Sequence, residues 1–258
     1  MNVLINGICG HMGKEVEKLC LEGYRGARLS AGVDINANGE AINVYSSFDL
    51  VPYDTAIDCI VDFSHHSVVG SLLNFAMERN IPTVVATTGH TEAEIYEIHN
   101  AAKSIPVFFS ANMSLGVALL VELAKTAAAA MPEADIEIIE KHHNRKLDAP
   151  SGTALMLANA LTEVRPSAYV NAGRSGQAKR TKEEIGIHAI RMGNVVGEHE
   201  VILATANQTI TIKHDAHSRA LFAEGALAAA AFLCDKSAGL YDMKSIVGKK
   251  EKSEAMAR

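Results

Sequence analysis

The stretch Val3-Leu4-Ile5-Asn6-Gly7-Ile8-Cys9-Gly10-His11-Met12-Gly13 decides the fold. Val3–Asn6 reads as a short buried strand, three glycines follow in G-x-x-G-x-x-G spacing, and His11–Glu22 reads as a helix. A strand that runs through a glycine turn into a helix lets backbone N–H groups approach a pyrophosphate at the positive helix end. The spacing departs from the standard G-x-G-x-x-G, and a glycine turn with no ligand is the competing reading. Context favours the site. Asp34 closes the second strand 21 residues after Gly13, close to the ~20 expected of a carboxylate that binds adenosine ribose. Gly7, Ile8, Cys9, Gly10, His11, Met12, Gly13 and Asp34 are therefore candidate dinucleotide-binding residues.

Outward from this turn the chain alternates. Leu29–Asp34, Ile57–Phe63, Thr83–Thr87 and Val107–Ser110 read as strands, with helices from about Ser67 to Arg79 and over Glu92–Lys103. That order predicts an α/β fold with a Rossmann-like, doubly wound parallel sheet. The pattern then changes to an alanine-rich helix, Gly116–Met131, an alternating strand, Asp135–Lys141, and a helix, Thr153–Val164. The polar stretch Arg165–Glu184, which holds Gly173 and Gly176, reads as a mobile loop. Three strand-like runs follow, Ile187–Met192, Glu198–Thr205 and Gln208–Lys213. Their short links predict antiparallel pairing and a second domain of α+β type with a mixed or antiparallel sheet. Ser218–Cys234 returns to an alanine-rich helix. The expected domains are 1–113, dinucleotide-binding and completed by 219–258, and 114–218, binding substrate and forming the oligomer. The charged tail Lys249–Arg258 is expected to fray.

Composition narrows the function. The 258 residues carry a net charge of −6, which argues against nucleic acid, because phosphate binding needs a basic face. Met1–Asn6 lacks the basic start of a signal peptide. No apolar run approaches the ~20 residues of a membrane span. Cys9, Cys20, Cys59 and Cys234 have no metal or redox spacing, as expected of reduced thiols in the cytoplasm.

Two more loops fall at strand ends on the edge where open α/β sheets bind ligands. They are Ala86-Thr87-Thr88-Gly89 and Ser110-Ala111-Asn112-Met113. Ala86, Thr87, Thr88, Ser110, Ala111, Asn112 and Met113 are small or hydrogen-bonding enough to face a flat ring and its amide. Phe63 is a candidate to pack on the cofactor, with a core aromatic as the alternative. A carboxylate at Asp34 accepts from a free 2′-hydroxyl and repels a 2′-phosphate, and no arginine follows it. NADH is therefore expected over NADPH, although Asn36 and Asn38 could accommodate the phosphate. A plain turn at Asp34 is the competing reading.

The segment Glu140-Lys141-His142-His143-Asn144-Arg145-Lys146-Leu147-Asp148-Ala149-Pro150-Ser151-Gly152-Thr153-Ala154 carries the chemistry. A cationic loop meets the start of a helix, whose N–H groups and hydroxyls suit a carboxylate. Metal is not expected, because adjacent histidines on an extended segment face opposite ways and no further ligand is suitably spaced.

This segment closely resembles the signature E-x-H-H-x-x-K-x-D-A-P-S-G-T-A of the dihydrodipicolinate reductase family. The resemblance covers nearly the whole chain. It extends to Val61-Asp62-Phe63, Thr87-Thr88-Gly89, Ala111-Asn112, Ile136–Glu140, Gly173-Arg174 with Gly176, Val196-Gly197-Glu198-His199, and Ser218-Arg219. Ala86 departs from a frequent glycine, and Ile35 from the arginine that NADPH-using members can carry. The resemblance implies reduction of a small cyclic dicarboxylate by NAD(P)H, with loss of water, in lysine and diaminopimelate biosynthesis. It further implies His142 as proton donor and acceptor, and Lys146 as a second donor. His143, Gly152 and Thr153 would bind substrate, with Thr88 near both ligands, in a homotetramer built through the second domain's sheet. The residue chemistry agrees: histidine titrates near neutrality, and a lysine adds positive charge where an anion develops.

Two rival readings remain at this point. A semialdehyde dehydrogenase would need a nucleophilic cysteine, which the positions around Asn112 and Ser114 lack. A non-catalytic NADH-binding redox sensor would have no use for His142 and Lys146 beside a carboxylate-binding helix start.

Overall fold

A computed structural model describes residues 1–38 and 43–248. The tail expected to fray, 249–258, lies outside the described residues. The chain divides into two compact units, Met1–Ser114 with the segment from Ala220 onward, and Leu115–Arg219.

The first unit begins β1 (Asn2–Asn6), α1 (His11–Leu21), β2 (Arg28–Val33), β3 (Val44–Tyr45) and β4 (Cys59–Asp62). It continues with α2 (Val69–Glu78), β5 (Thr83–Val85), α3 (Glu92–Ala101) and β6 (Pro106–Phe109). The second unit holds α4 (Leu115–Ala130), β7 (Asp135–His142), α5 (Gly152–Val164), β8 (Tyr169–Ala172), β9 (Glu184–Arg191), β10 (Gly197–Ala204) and β11 (Thr209–Ala216). The chain then returns to the first unit as α6 (Ala220–Leu233), β12 (Gly239–Tyr241) and α7 (Met243–Val247).

In the first unit seven parallel strands run in the order β12-β6-β5-β4-β1-β2-β3. Its central strands are apolar throughout because both faces are covered. Leu4, Ile60 and Val85 pack with Leu72 and Phe75 of α2 and Ile98 of α3, while α1 and α6 cover the opposite face. The strand order reverses between β1 and β4, so the crevice beyond their carboxyl ends is the natural ligand position of such a sheet.

The second unit is a five-stranded mixed sheet, β11-β10-β7-β9-β8. β7 alternates strictly, because only one face is packed by α4 and α5. Ile136 and Ile138 are buried there with Leu120, Leu157, Val201 and Leu203.

Two expectations are corrected here. Arg165–Glu184 is not a featureless loop. It contains β8, which pairs in parallel with β9. Buried Glu184 accepts from Asn171 Nδ2 at 3.1 Å and pairs with Arg174. Arg180 binds Asp135 and Glu137. Polar composition hid these anchors because several partners lie far away in sequence. Nor do the three late strands pair in succession. β10 and β11 are antiparallel neighbours, but β7 lies between β9 and β10, parallel to β9. That arrangement brings Arg191 beside His142, where it can neutralise a buried carboxylate. The edge strand β12 and the short α7, capped by Asp242, are further elements that the sequence reading did not include.

Candidate active site

The first unit builds its site around the turn after β1. Gly7 has φ +83°, and a Cβ there would stand 2.4 Å from Phe63 O. A Cβ on Gly13 would stand 2.1 Å from Gly7 O. Both positions therefore exclude any side chain. Gly10 precedes helix α1 as its cap and supplies no capping side chain, and the first turn holds no acidic residue, which suits an anion at the helix end.

A cleft of about 840 Å³ is lined by Gly7, Cys9, Gly10, Asp34, Ile35, Asn36, Phe48 and Phe63. A second, of about 440 Å³, is lined by His11, Met12, Phe63, Ala86, Thr87, Thr88, Ala111 and Met113. Phe63 belongs to both. The structure thus brings most of the expected cofactor residues to one sheet edge, with room and donors that fit a dinucleotide. Ile8 and Gly13 lie beneath the turn. Ile8 is 1% exposed and its side chain fills the space beside Gly32. Ser110 and Asn112 shape their own loop, the Ser110 hydroxyl donating to Asn112 O at 2.8 Å.

A buried carboxylate that the sequence reading left without a role ties these loops together. Asp62, 1% exposed, accepts from Asn6 Nδ2 at 2.7 Å and from Ser64 Oγ at 2.6 Å. Ser64 N donates to Thr87 Oγ1 at 2.9 Å. One network thereby joins the ends of β1, β4 and β5. Burial pushes Asp62 above its ordinary range, against the hydrogen bonds that oppose it.

The second unit places His142 at the end of β7, two residues after Glu140 and therefore on the same face. Glu140 is wholly buried and lies 2.5 Å from His142 Nδ1. Arg191, at the end of β9, grips the same carboxylate with both terminal nitrogens, at 2.7 and 2.8 Å. Ser151 N donates to it at 3.0 Å. Burial raises the Glu140 pKa, but Arg191, His142 and the Ser151 N–H together outweigh it and hold the carboxyl below its usual range.

Ser151 caps α5, its Oγ accepting from Ala154 N at 3.2 Å and lying 3.1 Å from His199 Nε2. Helix α5 begins at Gly152 and Thr153 with no acidic residue in its first turn. His143 is half-buried near Arg145, its Nδ1 shielded and without a hydrogen-bond partner among the described residues. Desolvation, with Arg145 and Arg219, pushes it below its ordinary pKa. Lys146 is not a free cation: its Nζ is 2.8 Å from Asp148 Oδ1. His142, His143, Lys146, Gly152 and Thr153 all belong to this unit, whereas Thr88 belongs to the cofactor clefts of the first. Among the described residues, no group of three or more His, Cys, Asp or Glu side chains could hold a metal ion.

Sequence reasoning missed much of this network. Glu140 and His199 stood inside recognised motifs without a role, and Arg191 was not singled out. Arg191 lies 51 residues from Glu140, so only strand register reveals the pair.

The family description "Dihydrodipicolinate reductase, N-terminus" matches residues 1–113, and "Dihydrodipicolinate reductase, C-terminus" matches residues 116–247. The chain is 47% identical over 251 residues to the 4-hydroxy-tetrahydrodipicolinate reductase of Caldanaerobacter subterraneus subsp. tengcongensis, covering 96% of this chain and 99% of that one. It is 42% identical to the protein of the same name from Clostridium novyi, covering 96% and 98%. In fold it is similar to a dipicolinate-bound dihydrodipicolinate reductase from Paenisporosarcina sp. TG-14, with TM-score 0.79 and 24% identity over 96% of this chain and 99% of that one.

Proposed function

The chain belongs to the dihydrodipicolinate reductase family and is an NAD(P)H-dependent 4-hydroxy-tetrahydrodipicolinate reductase of lysine and diaminopimelate synthesis; from that premise we propose which of its residues carry the reaction. His142 is the proton donor and acceptor. Lys146 is a second donor, and His143, Gly152, Thr153 and Thr88 hold the cyclic dicarboxylate. The observation that carries this reading is the 2.5 Å contact between His142 Nδ1 and the buried Glu140. An ionised carboxylate only accepts, so Nδ1 carries the hydrogen and Nε2 is left to exchange a proton with substrate.

The glycine turn, Asp34 and the loops at Ala86–Thr88 and Ser110–Met113 would hold the dinucleotide, which would supply a hydride when bound. The 4-hydroxyl leaves as water with a hydrogen from the neighbouring ring carbon, which gives a conjugated imine, and the negative charge that hydride addition places on that ring system is met by a proton from His142. The first-turn N–H groups of α5 and the hydroxyl of Thr153 orient a substrate carboxylate. Lys146 reaches the same carboxylate by giving up Asp148. NADH is the preferred cofactor, supported by Asp34 facing the larger cleft and by Ile35, 88% exposed, standing where an arginine would receive a 2′-phosphate.

The assembly is a homotetramer, supported by the sheet face of the second unit opposite α4 and α5. There Ile139 and Ile202 lie half-buried among Lys141, Glu198, Glu200 and Lys213. The location is cytoplasmic, supported by four free cysteines; no helix among the described residues is long and apolar enough to cross a membrane. A semialdehyde dehydrogenase would need a nucleophilic cysteine, and all four cysteines lie outside the unit that carries His142.

The test is NADH oxidation with freshly generated 4-hydroxy-tetrahydrodipicolinate, on wild type and His142→Gln. Turnover by wild type with loss in the variant supports the assignment. Equal turnover removes His142 from the mechanism.

A further inference from the structure

We propose that Glu140 and Arg191 are positioning residues that determine which nitrogen of His142 handles the proton, an inference that rests on the reading of His142 as the acid. Strand register sets the geometry. β7 and β9 run in parallel with His142 opposite Arg191. Glu140 precedes His142 by two residues, so its side chain emerges on the same face. The carboxylate meets four donors: two from Arg191 at 2.7 and 2.8 Å, Ser151 N at 3.0 Å, and His142 Nδ1 at 2.5 Å. A carboxylate offers about four lone-pair sites, so its capacity is filled.

Each member has a separate consequence. Glu140 is 0% exposed, and an unpaired buried carboxylate would take up a proton instead of staying charged. The bidentate guanidinium, the Ser151 N–H and His142 together keep it ionised, so the carboxylate retains two partners when Arg191 is removed. An ionised Glu140 can only accept, so it fixes the hydrogen on Nδ1 and presents Nε2 as the exchanging nitrogen. The space around Nε2 is kept clear as well, since a Cβ on Gly197 would lie 3.1 Å from it. Because Arg191 shares the carboxylate, the imidazolium feels only part of its charge.

The competing reading is a staple: the ion pair merely ties β7 to β9 and to the start of α5. A staple leaves the titration of His142 unmoved in either variant, whereas positioning moves it in opposite directions when Glu140 or Arg191 is changed. The charged and titratable groups around His142 are Glu140 on its own strand, Arg191 on β9, His199 on β10 with His214 on β11 behind it, and His143, Arg145, Lys146 and Asp148 in the following loop. Removing the carboxylate leaves cations dominant. Removing the guanidinium leaves His142 beside an unshared carboxylate.

The experiment measures kcat and the pH profile of kcat/KM for Glu140→Gln, Arg191→Gln, Arg191→Lys and His142→Gln, with folding checked by circular dichroism and NADH affinity by fluorescence. The limb that disappears in His142→Gln identifies the histidine. In Glu140→Gln that limb moves to lower pH, and kcat falls roughly 10²- to 10⁴-fold as the tautomer is lost. In Arg191→Gln the limb moves to higher pH, and Arg191→Lys brings it part of the way back. NADH affinity stays within about twofold of wild type throughout, the magnitude of an undisturbed site.

Both limbs unmoved in folded Glu140→Gln and Arg191→Gln, with His142→Gln inactive, would leave only a staple and overturn the inference. A fully active His142→Gln would instead overturn the reading on which it rests. Should Glu140→Gln fail to fold, nitrogen-15 NMR of labelled histidine in the wild-type enzyme decides between the two. Neutral His142 is expected with its hydrogen on Nδ1, and a hydrogen on Nε2 defeats the proposal.

Discussion

The backbone N–H of Cys9 donates to Asp34 Oδ2 across 2.9 Å, so the carboxylate after β2 is tied to the glycine turn. Its other oxygen accepts from Asn36 N at 2.9 Å and Asn36 Nδ2 at 3.1 Å. Asp34 therefore shapes the turn as well as facing the cleft. Asp34→Ala is expected to weaken NADH by roughly 1–2 kcal/mol for the lost charge-assisted pair, and NADPH by less. Fluorescence titration with both cofactors checks this, and equal weakening would reduce Asp34 to a shaper of the turn.

His142→Gln is expected to lower kcat about 10²-fold or more, the usual worth of a positioned proton donor. NADH binding should be unchanged, because the glycine turn and the loops at β5 and β6 belong to the other unit. Steady-state kinetics and a direct NADH titration separate the two effects. Near-normal kcat would transfer the role to Lys146 or water.

Lys146 and Asp148 form an ion pair at 2.8 Å, and Lys146, aided by the Gly152 N–H, holds Asp148 below its ordinary pKa. A substrate carboxylate must compete with Asp148 for these partners. Pyridine-2,6-dicarboxylate is therefore expected to inhibit competitively against substrate. Lys146→Ala should weaken it roughly tenfold, the scale of one charged hydrogen bond, and Asp148→Asn should tighten it. Calorimetric titration decides; unchanged affinity in Lys146→Ala would place the carboxylate elsewhere.

A methyl at Gly197 would crowd His142 Nε2 at 3.1 Å. Gly197→Ala should leave the fold intact while lowering kcat roughly tenfold through displacement of the ring. A variant with wild-type kcat and an unaltered melting curve would show that the ring has room to spare.

Buried His199 is pushed down to about 4 by burial and by the neighbouring His142. Its folded pKa lies below the unfolded value of about 6.5, so between these values the unfolded chain binds more protons. Stability is then complete above about pH 6.5 and declines as pH falls toward 4, by at most on the order of 3 kcal/mol. Urea unfolding at pH 7.5 and 4.5 should show this loss in wild type and a smaller loss in His199→Gln. Equal losses would assign the acid sensitivity to other groups.

The first-unit architecture was legible because its signals are local. A buried strand, a glycine turn and a helix occupy consecutive residues, and the same alternation repeats through β6. Asp34 could be picked out by separation alone. The loops at Ala86–Thr88 and Ser110–Met113 followed from the rule that strand ends on one edge of a parallel sheet gather together. The segment from His142 to Thr153 was legible for the same reason, since cationic loop and helix start are contiguous.

What the sequence by itself determined, then, were the parallel sheet, the dinucleotide turn and the histidine–lysine segment, all encoded in neighbouring residues and in short periodicities. Tertiary structure alone decided the partners. Polar composition made 165–184 look like a loop, although β8 and the ion pairs of Glu184 and Arg180 hold it. Short links made β9 and β10 look like neighbours, although β7 lies between them. That insertion carries Arg191 across 51 residues of chain to Glu140, and with it the ionised carboxylate that orients His142. Strand register is a long-range property, set by which faces are buried and which buried charges find partners, and no local pattern in the chain records it.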